Sequence, residues 1–500
     1  ATHEVTGSCT YLEAAGKRIL VDFGMEQGRD TYENIRIPCA PAQIDYVLLT
    51  HAHIDHSGLL PLLYAGGFTG EIHATSATCS LCEIMLRDSA HIQEFEAEWR
   101  NRKAMRKGGD PYVPLYTTEE ALETLKLFVP HPYDQRFSLC DGVEVRFRDA
   151  GHLLGSSSIE LWLTEGETTK KLVFSGDIGN YNQPLIRDPQ VPEEADYVIM
   201  ESTYGNRLHE KPKGYLPALV QILRDTFSRK GSVIIPSFAV GRTQEMLYYF
   251  KKIKDQNLLP EFGDFPIYMD SPLAIEATDV FLRNQNSCFD EEALSYVRRG
   301  ENPIGVSGLI PAVTSDASKA INADKRPKVI LSASGMCEAG RIKHHLKHNL
   351  WKPENTILFV GYQAEGSLGR KIVEGAKLVT LFGESVQVKA QIVQLEGMSG
   401  HADQRGLLDW IRAIHGVQKV FVIHGASDSA DAFRDKLWYG EGLDAYAPYS
   451  GAEFDIAAGK ITYDAPPVPI AQKPKRNEST YERLNQTLER LTALVQSSRG

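Results

Sequence analysis

Short apolar runs tipped by a polar residue recur along this chain and set its expected architecture. Arg18-Ile19-Leu20-Val21 leads to Asp22-Phe23-Gly24. Tyr46-Val47-Leu48-Leu49 leads to Thr50-His51-Ala52-His53-Ile54-Asp55-His56-Ser57-Gly58. Val143-Glu144-Val145-Arg146-Phe147 alternates as a half-buried strand does, and it delivers Asp149-Ala150-Gly151-His152. Leu172-Val173-Phe174-Ser175 ends in Gly176-Asp177, Tyr197-Val198-Ile199-Met200 in Glu201, and Val420-Phe421-Val422-Ile423 in His424-Gly425. Short apolar runs bounded by turn residues predict buried strands. Sites are built on the loops at strand ends. Polar tips on strand after strand therefore point to a shared site.

Between these runs the period changes. Residues 1–60 read as β-rich and 74–128 as helical. Cys79 and Cys82 sit where that helix should bury a face. Arg100, Arg102, Lys103, Arg106 and Lys107 cluster near its end, most simply a solvated helix end. From about residue 208 the pattern is helix, strand (Ser232-Val233-Ile234-Ile235-Pro236) and helix (Gly241 to about Lys252). Further strands follow at Ile267-Tyr268-Met269, Lys328-Val329-Ile330-Leu331 and Thr356-Ile357-Leu358-Phe359. Strands alternating with helices predict a second, largely parallel α/β unit. Ser399-Gly400-His401-Ala402-Asp403 then precedes a helix through Leu407, Leu408 and Ile411. Residues 461–475, rich in Pro and Lys, read as a linker. Leu484, Leu488, Leu491 and Leu494 read as an amphipathic helix that docks or forms a homodimer.

The 500 residues exceed one compact core, so two domains are expected. At 42% hydrophobic and 24% charged, the composition is that of a globular protein. No apolar run reaches membrane-spanning length. Ala1-Thr2-His3-Glu4 carries no basic and apolar leader, and no secretion is expected. Seven scattered cysteines predict no disulfide framework, and a cytoplasmic location fits. A net charge of −11 argues against indiscriminate nucleic-acid binding but leaves room for a local basic groove.

The chemistry concentrates after the second run. His51, His53, Asp55 and His56 offer imidazole nitrogen and carboxylate oxygen within six residues. Those are the donors that borderline divalent ions such as zinc accept. One zinc takes about four ligands. Four candidates from one turn, in two subsets, suggest two metals side by side.

This string resembles the HxHxDH signature of the metallo-β-lactamase superfamily. Gly151-His152, Gly176-Asp177, Glu201-Ser202-Thr203-Tyr204-Gly205, Ser399-Gly400-His401 and Ile423-His424-Gly425 follow in the order of its β-CASP branch. Phe238-Ala239-Val240-Gly241-Arg242-Thr243-Gln244-Glu245 and Gly361-Tyr362-Gln363-Ala364-Glu365-Gly366-Ser367-Leu368-Gly369 are similar to further segments of that branch. The endonuclease subunit of the pre-mRNA cleavage and polyadenylation complex, its prokaryotic homologues and ribonuclease J belong there.

The resemblance, which covers roughly residues 1–460, implies an αββα sandwich in two parts, 1–207 and 396–460, interrupted by an α/β β-CASP domain at 208–395; the linker and C-terminal helix at 461–500 are read from the residues alone. It implies two Zn2+ per chain, one on His51, His53 and His152, the other on Asp55, His56 and His424, with Asp177 bridging. Asp22 would support the metal loop from behind. His401 would be the general acid, held by Glu201, and Asp55 and Asp177 would share in catalysis.

The expected activity is hydrolysis of single-stranded RNA in an interdomain cleft, endonucleolytic and in part 5′ exonucleolytic. Arg242, Lys343, His344, His345 and Ser399 are candidate RNA contacts. Ala426 departs from the pre-mRNA enzyme, which has an acidic residue after His-Gly. The alternatives are a small-molecule hydrolase of the glyoxalase or lactonase kind and an RNA-binding member without catalysis.

Overall fold

A computed structural model of the chain describes residues 1–28, 31–105, 111–209, 214–395 and 397–470. The first sheet orders β1 (Thr10–Ala14), β2 (Lys17–Val21), β3 (Tyr46–Leu48), β4 (Glu71–Thr75) and β5 (Phe128–His131) side by side. Only the β1–β2 pair is antiparallel. The second sheet begins with β6 (Phe137–Cys140), β7 (Val143–Asp149), β8 (Ser157–Glu165), β9 (Thr168–Phe174) and β10 (Tyr197–Glu201).

The chain then builds a separate sheet. Its strands are β11 (Val233–Pro236), β12 (Ile267–Met269), β13 (Leu309–Pro311), β14 (Val329–Ser332) and β15 (Thr356–Phe359). A hairpin of β16 (Leu378–Leu381) and β17 (Glu384–Gln387) precedes its last strand, β18 (Gln391–Gln394). The order is β13-β12-β14-β11-β15-β18, parallel throughout. The chain returns to the second sheet with β19 (Lys419–Ile423) and β20 (Ala445–Tyr446), giving β20-β19-β10-β9-β8-β7-β6.

Period-2 alternation decides which side chains face which layer. Ile19 and Val21 face Phe147, Leu161, Phe174, Tyr197 and Ile199 in a core between the first two sheets. Leu20, Val47 and Ile72 point the other way, under Leu60, Leu63 and Leu81 of the helices Leu60–Ala65 and Ser76–Met105. On the second sheet Val198, Met200, Val420 and Val422 face Leu407, Trp410 and Ile411 of the helix Gln404–Arg412. Both sheets are therefore covered by helices, as an αββα sandwich requires. Burying each such aliphatic side chain contributes roughly 1.5–3 kcal/mol. The six-stranded sheet is covered likewise, with Val233, Ile235 and Leu358 on one face and Ile234, Ile330 and Phe359 on the other.

Some local expectations change. Ala74 and Thr75 end β4 and Phe128 opens β5, so the helical stretch runs only over Ser76–Met105 and Thr118–Leu125. Of the β8–β9 hairpin the apolar pattern marked only the end of β9. Glu160 and Lys171 interrupt that pattern, yet both are buried and pair at 2.7 Å. Lys460–Tyr463 is a strand antiparallel to Glu453–Asp455, so the expected linker does not begin at 461. Arg100 pairs with Glu96 at 3.3 Å and lies over the Tyr112 ring, a solvated helix end. Arg106, Lys107 and the leucine-spaced segment from Tyr481, with the dimer expectation attached to it, lie outside the described residues. All seven cysteines are free. No helix among the described residues is long and apolar enough to cross a membrane.

Candidate metal centre

β7, β9, β10 and β19 run in one direction, so His152, Asp177, Glu201 and His424 arrive at the same sheet edge. The His51–His56 turn arrives from β3 of the facing sheet. Two glycines let the loops close on one another. A Cβ on Gly24 would lie 1.6 Å from the Asp55 carbonyl oxygen, and one on Gly179 would lie 1.7 Å from that of Gly151. His424 adopts φ +47°, a left-handed conformation costly for a side-chain-bearing residue. Its N–H donates to Ala1 O at 2.8 Å and its carbonyl accepts from Ser202 N at 3.0 Å, which fixes it there.

Ligand atoms of His51, His53, His152 and Asp177 lie within 4.8 Å of one another, as do those of Asp55, His56 and His424. The Asp177 carboxylate divides between the two groups. Its Oδ2 is 3.4 Å from His51 Nε2 and 3.5 Å from His152 Nε2. Its Oδ1 is 3.3 Å from His56 Nε2 and 3.2 Å from His424 Nε2.

The far nitrogen of each ring explains which atom is free to coordinate. His56 Nδ1 donates to Asp22 Oδ2 at 2.8 Å, and His152 Nδ1 donates to Gly400 O at 2.9 Å. Thr50 Oγ1 gives its proton to Asp22 Oδ2 at 2.9 Å, so it accepts from His51 Nδ1 at 3.1 Å. His424 Nδ1 meets Ser8 Oγ at 3.1 Å. A proton on Nδ1 leaves a lone pair on Nε2. His53 is the exception, turning Nδ1 inward to 3.0 Å from His51 Nε2 and 3.2 Å from His152 Nε2.

These buried lone pairs face each other. His56 Nε2, His424 Nε2 and Asp177 Oδ1 are buried with no hydrogen-bond partner. Orphaned buried polar atoms cost about 1–3 kcal/mol each, and a cation among them removes that cost. Nitrogen and carboxylate donors with no thiolate suit zinc. Burial pushes the His51, His53 and His152 imidazoles below their ordinary range and His424 down to about 3, the neutral form a metal needs. Burial would lower His56, but Asp177 and Asp22 raise it well above its ordinary range, and although burial opposes ionisation of Asp177, the charge on His56 holds that carboxyl well below the ordinary range.

His401 stands beside this cluster. Its Nδ1 is 3.2 and 3.3 Å from the two Glu201 oxygens and 3.9 Å from Asp177 Oδ2. Burial would lower its pKa, but Glu201 and Asp177 outweigh it and raise the imidazolium to about 9. Glu201 is in turn fixed by the N–H of Ile178 at 2.5 Å. His401's carbonyl meets His209 Nε2 at 3.0 Å, and Gly179 bridges its backbone. With Nδ1 committed to Glu201, Nε2 is the nitrogen left to exchange a proton.

The sequence-derived ligand candidates thus converge, with Asp22 behind His56 and Thr50. Of the candidate RNA contacts only Ser399 lies beside them, at the backbone of His401. Arg242 is buried. Its guanidinium pairs with Glu245 and donates to the Met398 carbonyl at 2.8 Å, a clasp between the two units where a phosphate contact was expected. His345 is buried against Asp270 at 2.6 Å, and His344 stacks on Phe382. Lys343 Nζ donates to the Glu338 carbonyl at 3.3 Å. Ser399 Oγ accepts from His401 N at 3.2 Å. Ser8, Thr50, His209 and the Gly400 carbonyl were missed. Thr50 and Gly400 carried a signal in the sequence, since each adjoins a motif histidine.

Comparison with known proteins agrees with this geometry. Residues 4–211 match the metallo-beta-lactamase superfamily, 243–372 the Beta-Casp domain and 385–448 the Zn-dependent metallo-hydrolase RNA specificity domain. Ribonuclease TTHA0252 of Thermus thermophilus is 39% identical over 86% of this chain and 92% of its own length. The chain belongs to the β-CASP branch of the metallo-β-lactamase superfamily. The RNase J-like protein of Methanocaldococcus jannaschii is 31% identical over 90% of this chain and 96% of its own. Transcription termination factor FttA of Methanosarcina mazei is 30% identical over 84% of this chain, which spans 65% of that longer protein. As a β-CASP protein with the RNA specificity domain, this chain is a zinc-dependent, RNA-directed hydrolase, a metal-dependent ribonuclease.

Proposed function

We propose that the chain cleaves single-stranded RNA at a two-zinc centre, in a cleft between the sandwich and a β-CASP domain spanning about residues 208–395. One observation carries this reading: Asp177 offers one oxygen to His51 and His152 and the other to His56 and His424. His51, His53 and His152 would hold one ion, Asp55, His56 and His424 the other, with Asp177 shared. Zinc so held supplies Lewis-acid polarisation of a phosphoryl oxygen and an acidified water.

The chain's own residues do the rest. Asp22, Thr50, Ser8 and the Gly400 carbonyl orient the imidazoles through their far nitrogens. Glu201 keeps His401 protonated and turned. His401 Nε2 then delivers a proton to the leaving ribose oxygen as general acid. Cleavage is endonucleolytic, with a 5′ exonucleolytic mode on suitable ends. The seven free cysteines suit a reducing compartment, the cytoplasm.

The test is product analysis of end-labelled RNA with the zinc-loaded protein, alongside metal content. His401→Ala is expected to lower cleavage by about 10²–10⁴-fold, the range for a lost general acid, while both zincs stay bound. Wild-type rates in that variant would end the assignment. Turnover of a thioester or lactone with no action on RNA would favour a small-molecule hydrolase instead.

A further inference from the structure

The six-stranded sheet has its own functional edge. β14, β11 and β15 are adjacent and parallel. In open parallel sheets ligands bind at the carboxyl ends of the strands. Past the end of β11 stands Phe238, 42% exposed, and past the end of β15 stands Tyr362, 45% exposed. Leaving rings of that size in water is costly unless something covers them.

Both rings are held in place. A Cβ on Gly335, in the loop after β14, would lie 3.0 Å from Phe238 Cδ2, and one on Gly361 would lie 3.6 Å from Cε2. Phe238 is thus seated on glycine backbone from the two neighbouring loops. The Arg207 guanidinium lies 5.6 Å from the centre of the Tyr362 ring and 4.4 Å from that of Tyr204. The Tyr204 ring meets the His401 ring edge-on at 6.0 Å. No carboxylate among the described residues pairs with Arg207. The result is two exposed rings and one cation at the edge of the β-CASP sheet, joined to the proton donor through the buried Tyr204 ring.

Aromatic faces beside a guanidinium are the equipment of a single-strand platform. Every base has a π-face to stack, and the cation serves the backbone. On a chain of net charge −11, an arginine that pairs with no carboxylate among the described residues is not background at this place. A protein partner would also cover exposed rings. Continuity with His401, however, puts this strip on the path of the strand being cut.

We infer that Phe238 and Tyr362, with Arg207 between Tyr362 and Tyr204, form a base-stacking subsite for nucleotides flanking the scissile phosphate. This deepens the ribonuclease reading and rests on it.

The test uses zinc-loaded full-length protein and RNA oligonucleotides in which a single abasic residue is walked past the cut. Affinity is read by fluorescence anisotropy, and KM and kcat by cleavage. For the wild type, an abasic residue at one or two flanking positions should weaken binding and raise KM about 5- to 100-fold, with kcat little changed. Phe238→Leu and Tyr362→Leu keep the apolar volume and remove the ring. Each should show the raised KM on intact RNA and lose the abasic penalty, while Phe238→Trp and Tyr362→Phe keep both.

A wild type indifferent to abasic residues overturns the subsite, as do leucine variants that retain wild-type KM and penalty. Binding with the expected abasic pattern but no cleavage supports the subsite and overturns the ribonuclease reading. A penalty at positions that move with a protein ligand bound to the strip, but not with the cut, assigns it to a partner and also overturns the subsite.

Discussion

Two buried histidine–aspartate clusters stand in the two halves of this molecule, and they differ in one respect. Around Asp177, three atoms are buried with no hydrogen-bond partner. Around Asp270, in the β-CASP unit, every atom is matched. Asp270 Oδ1 accepts from Arg341 at 2.7 Å, and Oδ2 accepts from His345 and Ser318, each at 2.6 Å. His345 Nδ1 meets Asn322 Oδ1 at 3.3 Å, and Arg341 also donates to the Ala312 and Val313 carbonyls at 2.7 Å. Similar residue types at similar burial therefore do opposite things. The satisfied cluster fixes the turn after β12 to the helices Ser315–Ala323 and Ile342–Asn349, whereas the unsatisfied one has the donors of a metal socket.

The comparison breaks most sharply at the shared carboxylates. Asp177→Asn keeps the size of the side chain but removes its negative charge and turns one acceptor oxygen into a donor. Zinc content should fall and RNA cleavage should drop by about 10³-fold or more, since the metals supply most of the charge stabilisation. The metal-free protein should also lose stability near neutral pH, because a carboxylate whose pKa is depressed in the folded chain contributes stability there. A variant that keeps wild-type zinc content and full activity would show that Asp177 is not the bridge.

Asp270→Ala should behave in reverse. Removing one member of a buried, hydrogen-bonded charge group costs about 3–5 kcal/mol, read as a lower denaturation midpoint, with zinc stoichiometry unchanged. Burial alone would raise the Asp270 pKa, but hydrogen bonds from His345, Ser318 and Arg341 hold it below its ordinary value of 3.8. A depressed folded pKa stabilises above the unfolded value, and that stability is lost as pH falls through the folded one. The wild type should therefore lose this contribution only in acid below about pH 3.8, and Asp270→Ala should flatten the acid limb of the stability curve.

How much of this was legible in the sequence follows the same division. The convergence of the ligand candidates was legible because they follow apolar strands, as His424 follows Val420–Ile423. The antiparallel β8–β9 hairpin was not, because Glu160 and Lys171 mask its apolar period and find each other only in three dimensions. Arg242 and His345 read as phosphate contacts because a cationic residue on a helix usually faces water. Here Glu245 and Met398 claim the first and Asp270 claims the second. Ser8 gave no signal, since its partner His424 lies 416 residues away.

Chelation sharpens the contrast at a smaller scale. Metal that binds only the folded chain stabilises it by about 2.7 kcal/mol at one hundred times its dissociation constant. Zinc removal should lower the melting temperature of the wild type and of Asp270→Ala by similar amounts, and leave Asp177→Asn almost unmoved. Equal shifts in all three would mean that the metal stabilises from elsewhere.

The finest test pairs two serines that each make one buried hydrogen bond. Ser318 Oγ donates to Asp270, which keeps Arg341 and His345 when the hydroxyl is lost. A hydrogen bond to a charged group contributes about 1.5–3 kcal/mol. Ser318→Ala should therefore cost stability near the low end of that range, with no effect on zinc affinity. Ser8 Oγ orients His424 through Nδ1, and His424 carries one of the orphaned nitrogens. Losing such an orienting partner weakens metal affinity about 10- to 100-fold. Ser8→Ala should show that loss in a zinc competition titration, and the metal-free protein should also melt lower because the buried His424 Nδ1 loses its partner. If the two variants exchange behaviours, orphaned atoms do not mark the socket, and the division between the clusters fails.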